Sequence, residues 1–228
     1  MTNRPAGRVR AAIFDLDGTL LDTLEDIARA MDFALQRHGL SPHTLDDYRQ
    51  FVGEGVRNLV RRAVGASGGI GELESEVFAA FRRRYDEQLV VTTRPYPGVV
   101  ELLDRLRERG IVTGVLSNKP DDTTRVLVER FFPGRITLAR GERPSAPRKP
   151  DPTAALEMAK ALEVDAASCL FAGDSRVDME TATRAEMFGV GVLWGFRGRE
   201  ELVSSGARAV VEHPEEILRL CEGGTLTA

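Results

Sequence analysis

Cysteine is nearly missing from this 228-residue chain: Cys169 and Cys221 are too few for a disulfide framework. Cys169 lies within an apolar run, where a buried thiol is the ordinary expectation, and both residues suit a reducing cytoplasm. No apolar stretch is long enough for a membrane, since the uncharged segment Met187–Phe196 has ten residues, three of them glycine, against the roughly 20 of a spanning helix. Arg4, Arg8 and Arg10 precede no apolar signal core, because the first hydrophobic run is short and stops at Asp15, so export is not expected. An excess of positive charge is missing too. With 31 Lys+Arg against 35 Asp+Glu the net charge is −4, which gives no overall cationic field for nucleic acid or an anionic membrane. The three histidines, His38, His43 and His213, are scattered and offer no zinc-type cluster.

What is present reads as a folded chain. Hydrophobic residues make up 42% and charged residues 29%, close to the globular norm. Apolar β-type runs recur at Val9 to Phe14, Ile111 to Leu116, Arg135 to Ala139, Cys169 to Ala172 and Gly189 to Trp194. Helix-period segments separate most of them. Val99, Leu102, Leu103 and Leu106 repeat at i, i+3, i+4 and i+7, and Gly110 stands where such a helix ends. Further helices are predicted over Thr153 to Leu162 and Arg176 to Glu186. This alternation predicts the α/β class: a Rossmann-like, doubly wound parallel sheet wrapped by helices on both faces. Residues 23–91 break the rhythm with helical spacing (Leu24, Ile27, Ala28, Met31, Leu35) and no buried strand, and are expected to form an inserted α-helical cap. The core domain is then residues 1–22 and 92–228. Two prolines, Pro95 and Pro97, stiffen the return, and the tail from Gly223 is expected to be mobile.

Ligands of an open parallel sheet bind beyond the carboxyl ends of its strands. Asp15-Leu16-Asp17-Gly18-Thr19, Ser117-Asn118-Lys119 and Gly173-Asp174-Ser175-Arg176-Val177-Asp178 each follow an apolar run and are expected to converge there. Residues two apart in extended chain face the same way, so Asp15 and Asp17 both point into the crevice before Gly18 permits a sharp turn. Carboxylates so close repel, and Asp174 and Asp178 add more negative charge. A divalent cation resolves the conflict, and oxygen-only donors suit Mg²⁺. Lys149, before a predicted helix, adds a cation, and the Ser117 hydroxyl with nearby backbone N–H groups can hold phosphoryl oxygens.

These three segments, with Lys149-Pro150-Asp151-Pro152, resemble the four ordered motifs of the haloacid dehalogenase superfamily, and within it the phosphoglycolate phosphatases and their close relatives. The resemblance runs from Ala11 to about Leu220. It implies a Mg²⁺-dependent phosphatase of a small phosphorylated metabolite, phosphoglycolate first, acting through a phosphoaspartate. Asp15 would be the nucleophile and Asp17 the acid and base. The metal would sit on Asp15, the Asp17 carbonyl and Asp174, with Lys149 neutralising charge and Asp178 orienting Lys149 or water. Thr19, Ser117 and Asn118 in the motifs, and Gly53, Glu54 and Arg57 in the cap, are the expected substrate contacts. Asp17 speaks for phosphoryl chemistry over carbon–halogen cleavage. A phosphonatase-like reaction would need a cap lysine, and residues 23–91 contain none. A phosphomutase of the beta-phosphoglucomutase type would share every core residue, and a non-catalytic phospho-ligand sensor would bind without releasing phosphate. Oligomeric state leaves no legible mark.

Other features carry ordinary readings. The glycines of Val64 to Gly71 imitate a dinucleotide fingerprint but follow no buried strand, so an interhelical loop is expected. Arg82, Arg83 and Arg84 read as a solvated helix face, and Trp194 with Phe196 as packing. Glu186 stands where relatives often have glycine. Three arginines between Arg140 and Arg148 have no assigned role.

Overall fold

The computed structural model describes residues 7–223; Arg4 and the expected mobile tail beyond Gly223 lie outside them. The chain divides into two compact units, one formed by Asp22–Arg94 and the other by the sequence on either side of it.

Along the chain, β1 (Ala11–Phe14) leads through a tight turn to β2 (Leu21–Asp22). Helices α1 (Leu24–Arg37), α2 (Leu45–Phe51), α3 (Val56–Ala66) and α4 (Glu74–Glu87) come next, then β3 (Arg94–Pro95), which pairs with β2. Helix and strand then alternate through α5 (Val99–Glu108), β4 (Val112–Pro120), α6 (Asp121–Phe131), β5 (Leu138–Glu142) and α7 (Thr153–Ala161). The alternation continues with β6 (Cys169–Gly173), α8 (Arg176–Arg184), β7 (Phe188–Val192), α9 (Arg199–Ser204), β8 (Ala209–Val211) and α10 (Pro214–Cys221).

Every residue of β1, β6 and β7 is buried, the pattern of strands at the centre of a parallel sheet covered on both faces. The six strands are parallel in the order β5-β4-β1-β6-β7-β8, with Ala11 in register with Val112 on one side and Cys169 on the other. Ala11 and Ile13 pack with Ala155, Met158 and Ala182 of α7 and α8. Ala12 and Phe14, also buried, alternate to the opposite face. The chain builds outward from β1 through β4 to β5 and then crosses back to β6. β1 and its two neighbours therefore flank the point where the winding reverses, where such sheets open a crevice. Asp15 and Asp174 come just past the ends of β1 and β6, and Ser117 lies on β4 two residues beyond Val115, the partner of Phe14.

Several boundaries differ from the sequence reading, each for a local reason. β5 starts at Leu138 rather than Arg135, because Arg135 is turned back: its N–H donates to the Phe132 carbonyl and its guanidinium to Asp104 at 3.0 and 3.2 Å. β4 runs past Leu116 to Pro120 with a register shift against β5, so Ser117, Asn118 and Lys119 belong to the strand and not to a loop after it. β7 spans Phe188–Val192, and β8, three residues long, is too short to show as an apolar run. α8 terminates without glycine: Glu186 itself takes φ +58°, and the Met187 N–H donates to the Ala182 carbonyl at 2.9 Å.

Within the Asp22–Arg94 unit, α1 buries the predicted stripe Leu24, Ile27, Ala28, Met31 and Leu35 and packs on α4. The glycine-rich stretch is the connection from α3 to α4, with Gly68 at φ +75° and the Gly69 N–H on the Val64 carbonyl. Arg82 pairs with Asp86, and Arg84 lies over the Phe33 ring. A dense polar feature of this unit is Asp26, 3% exposed. Its carboxylate accepts the N–H groups of Val91, Thr92 and Thr93 and the hydroxyls of Thr92 and Thr93, at 2.7 to 3.0 Å. One side chain on the first helix thus fixes three consecutive residues of the returning segment.

Burial alone would raise the Asp26 pKa, but the hydrogen bonds from Thr93, Val91 and Thr92 outweigh it and hold the carboxyl below the ordinary range. A depressed folded-state pKa gives stability that is present above the unfolded value and lost as pH falls below about 4. Asp26→Ala is therefore expected to cost about 3 kcal/mol at pH 7, with the gap to wild type narrowing at pH 3 in urea unfolding. Glu186, exposed and left-handed, sets the opposite expectation. Glu186→Gly should raise stability by about 0.5–1 kcal/mol, the relieved strain minus the added chain entropy.

Candidate active site

The first turn after β1 is shaped by backbone constraints. The Asp15 N–H donates to the Ala172 carbonyl, extending the sheet ladder by one residue. Gly18 then adopts φ +82°, and a Cβ there would lie 2.4 Å from the Asp174 carboxylate. Gly195 closes the other side: its Cβ would lie 2.3 Å from both Asp174 Cβ and the Gly18 carbonyl. Only glycine lets the two loops meet around Asp174. The Trp194 indole N–H donates to the Thr19 carbonyl at 2.9 Å, so this ring anchors the turn as well as packing.

Lys149 sits at the centre. Its Nζ is 3.0 Å from Asp15 Oδ1 and 2.7 Å from Asp178 Oδ1, with side-chain exposures of 2%, 11% and 0% for the three residues. Asp15 Oδ1 also accepts the Leu16 N–H at 2.7 Å, so both donors fall on the same oxygen. Asp178 Oδ2 accepts the N–H and hydroxyl of Ser175, capping α8. The Asn118 amide brackets the Lys149 backbone, accepting its N–H at 3.0 Å and donating to its carbonyl at 3.1 Å. Asp174 accepts the Phe196 N–H at 2.7 Å and the Thr19 hydroxyl at 3.5 Å. Asp15, Asp174 and Asp178 each offer an oxygen within 4.8 Å of the others. A second lysine stands apart: Lys119 Nζ is 2.9 and 3.1 Å from the two oxygens of Asp17.

Four carboxylates thus face two ammonium groups, and Arg197, which also pairs with Glu201, pulls only weakly on Asp174. Burial pushes Asp15 up to about 7, Asp178 and Asp17 push the same way, and Lys149 pulls against them. Asp174 is driven well above the ordinary range by burial, then by Asp178 and Asp15. Burial opposes the charge on Lys149, yet Asp15 and Asp178 prevail and raise its pKa. The residues therefore fit a divalent cation on two counts: an excess of negative charge and an all-oxygen donor set suited to Mg²⁺.

The sheet thus brings Asp15, Asp17, Thr19, Ser117, Asn118, Lys149, Asp174 and Asp178 to one edge. Thr19 faces Asp174, Asn118 holds the Lys149 backbone, and the Ser117 hydroxyl accepts the Lys119 N–H at 3.3 Å. Gly53, Glu54 and Arg57 belong to the other unit: Gly53 takes φ +120° between α2 and α3, Glu54 pairs with Arg62 at 2.8 Å, and Arg57 lies over the Phe78 ring. The arginines without a role tie their loop down, Arg140 and Arg143 toward Glu157 and Arg148 toward Glu142. Sequence reasoning missed Lys119 as a partner of Asp17, though it stands two residues past Ser117, on the same face of an extended strand. It also missed the Gly195–Phe196 cradle, a backbone contact with no side-chain signal.

Comparison with known proteins gives a consistent picture. A family profile for haloacid dehalogenase-like hydrolases matches residues 9–186. Phosphoglycolate phosphatase 1 of Pseudomonas aeruginosa is 33% identical over 214 residues, covering 92% of this chain and 78% of the relative. N-acetylmuramic acid 6-phosphate phosphatase of the same organism is 32% identical, covering 92% and 94%. The crystal structure of a provisionally assigned phosphoglycolate phosphatase from Lactobacillus delbrueckii subsp. bulgaricus superposes with a TM-score of 0.90 at 33% identity, covering 94% and 99%.

A carboxylate whose pKa is raised by folding stabilises below its unfolded value and loses that contribution as pH rises through the folded one. Without a cation, wild type should lose stability between about pH 4 and 7. Mg²⁺ should restore it increasingly over that interval, by about 2.7 kcal/mol at a hundred times its Kd. Asp174→Ala should unfold no earlier than metal-free wild type and show no Mg²⁺-dependent rise in Tm by thermal denaturation.

Proposed function

The chain belongs to the haloacid dehalogenase-like hydrolases and is a phosphatase of that family, and on that footing we propose that it hydrolyses a small phosphomonoester, with phosphoglycolate the first candidate. The observation that carries the chemistry is Asp15, pinned at Oδ1 by Lys149 and the Leu16 N–H beside Asp174 and Asp178. Phosphoglycolate is favoured because relatives bearing that name align with nearly the whole chain. N-acetylmuramic acid 6-phosphate, named for another relative, is likewise a monophosphate of an organic acid.

In the proposed reaction Asp15 attacks phosphorus through Oδ2, the bond from phosphorus to the substrate oxygen breaks, and Asp17 gives that oxygen a proton. Water then attacks the same phosphorus and yields a proton to Asp17, the bond to Asp15 breaks, and inorganic phosphate leaves. Lys149 holds the Asp15 carboxylate in place, Asp178 positions Lys149, and Asn118 fixes the lysine backbone. The Ser117 hydroxyl and neighbouring N–H groups bind phosphoryl oxygens. Thr19 steadies Asp174, while Gly53, Glu54 and Arg57 are the proposed substrate contacts on the inserted unit. Asp15, Asp174 and the Asp17 carbonyl would hold Mg²⁺, which when bound neutralises charge on the phosphoryl group. No helix among the described residues is long and apolar enough to cross a membrane. Cys169 and Cys221 are free and buried, with their thiols pushed up to about 11 and about 12 and so unreactive; the cytoplasm is the proposed location.

Release of inorganic phosphate from a panel of phosphomonoesters, with and without Mg²⁺, tests the reading. Mg²⁺-dependent release is expected, with the highest kcat/KM on phosphoglycolate, and Asp15→Asn should lower it by about 10³-fold or more. Turnover persisting in Asp15→Asn would remove the aspartate from the attacking role, and phosphate transfer to a second sugar position without release would make the enzyme a mutase.

A further inference from the structure

The chain holds 3 lysines, Lys119, Lys149 and Lys160, among its 31 Lys+Arg, so 28 of its basic side chains are arginine. Apart from the exposed Lys160, every basic side chain away from the sheet edge is arginine. Two of the three lysines are nevertheless buried at the sheet edge, each on a different aspartate of the first motif: Lys149 on Asp15 and Lys119 on Asp17. A compact ammonium fits a confined pocket where a planar guanidinium does not. Retention of lysine at these two positions marks a geometric need.

Lys119 is built into place from several directions. Its N–H donates to the Ser117 hydroxyl, and its carbonyl accepts the Thr124 hydroxyl at 3.3 Å. Gly141 of β5 lies so close that a Cβ there would be 2.4 Å from the Lys119 carbonyl, and the Gly141 N–H is in turn fixed by Asp121 at 2.8 Å. The register shift between Leu116 and Pro120 sets this stretch of β4. Nζ then meets both oxygens of Asp17, with side-chain exposures of 5% and 13%. Asp17 lies among like charges, being one of the groups that disfavour ionisation of Asp15. Without the ammonium its carboxylate would be repelled by its neighbours and lack a fixed rotamer.

We infer that Lys119 is the positioning residue for Asp17, fixing the carboxylate that moves the proton in both halves of the reaction, while Lys149 serves Asp15. The inference rests on the phosphatase reading above. It separates two functions that one lysine might be thought to cover: neutralising the nucleophile, and aiming the acid and base.

Rapid-mixing kinetics with Mg²⁺ test it. The phenolate of p-nitrophenyl phosphate leaves without a proton, so Lys119→Met should release a burst near one equivalent per enzyme at close to the wild-type rate. Steady-state turnover should then be slower by about 100-fold, since deprotonation of water still needs an aimed Asp17, with KM little changed. On an alkyl phosphate the first turnover itself should slow by a similar factor. In an Asp17→Asn background, adding Lys119→Met should change turnover by less than about twofold. This pair removes both charges together and answers the question if the single variant does not fold. Wild-type turnover in Lys119→Met, a burst rate that falls in step with turnover, or additive losses in the double variant would each overturn the inference. Loss of Mg²⁺-dependent phosphate release in wild type, or its survival in Asp15→Asn, would strike the underlying reading and is read from separate arms.

Discussion

The site is organised by an imbalance of buried charge. Asp15, Asp17, Asp174 and Asp178 converge at one edge of the sheet, and Lys119 and Lys149 neutralise only half of their charge. Such a group is costly to the fold, since each buried carboxylate raises the cost of ionising the next. A divalent ion would match the remainder, and a phosphoryl group brought to such an ion would find its own charge offset. Stability and chemistry are therefore coupled: the arrangement least favourable to the empty protein is the one prepared for an anionic substrate.

The parallel sheet makes the convergence possible. Asp15 and Asp174 are far apart in sequence but follow adjacent strands in register, Phe14 beside Ala172. Ser117, Asn118 and Lys119 arrive on β4, the other neighbour of β1, and Asn118 draws in the Lys149 loop by clasping its backbone. Each segment contributes few residues and none could bind alone. The glycines at 18 and 195 then allow two loops to close on Asp174 without side-chain interference.

Much of this was legible because it is local. An apolar run followed by acids places those acids at a strand end, so Asp15, Asp17, Asp174 and Asp178 follow from position alone. The α5 stripe was equally plain, all four of its predicted residues being buried. What stayed hidden depends on pairing between distant segments. The Lys119 contact with Asp17 is set by how β4 registers against β1, and the cradle around Asp174 is made by the backbone of Gly195 and Phe196. Arg135 shows the limit in another form: its run looked like strand, but its N–H turns back to the Phe132 carbonyl and its guanidinium to Asp104. The role of Asp26 was also unreadable, because its partners lie on the returning segment more than sixty residues away.

The Asp22–Arg94 unit leaves the core at β2 and rejoins it at β3, two short strands paired side by side. Such an attachment makes the insert a cassette. A longer, shorter or wholly different segment could be spliced between the same two anchor points without shifting the register of the six-stranded sheet. A change confined to that segment would then leave the acids and lysines at the sheet edge where they are.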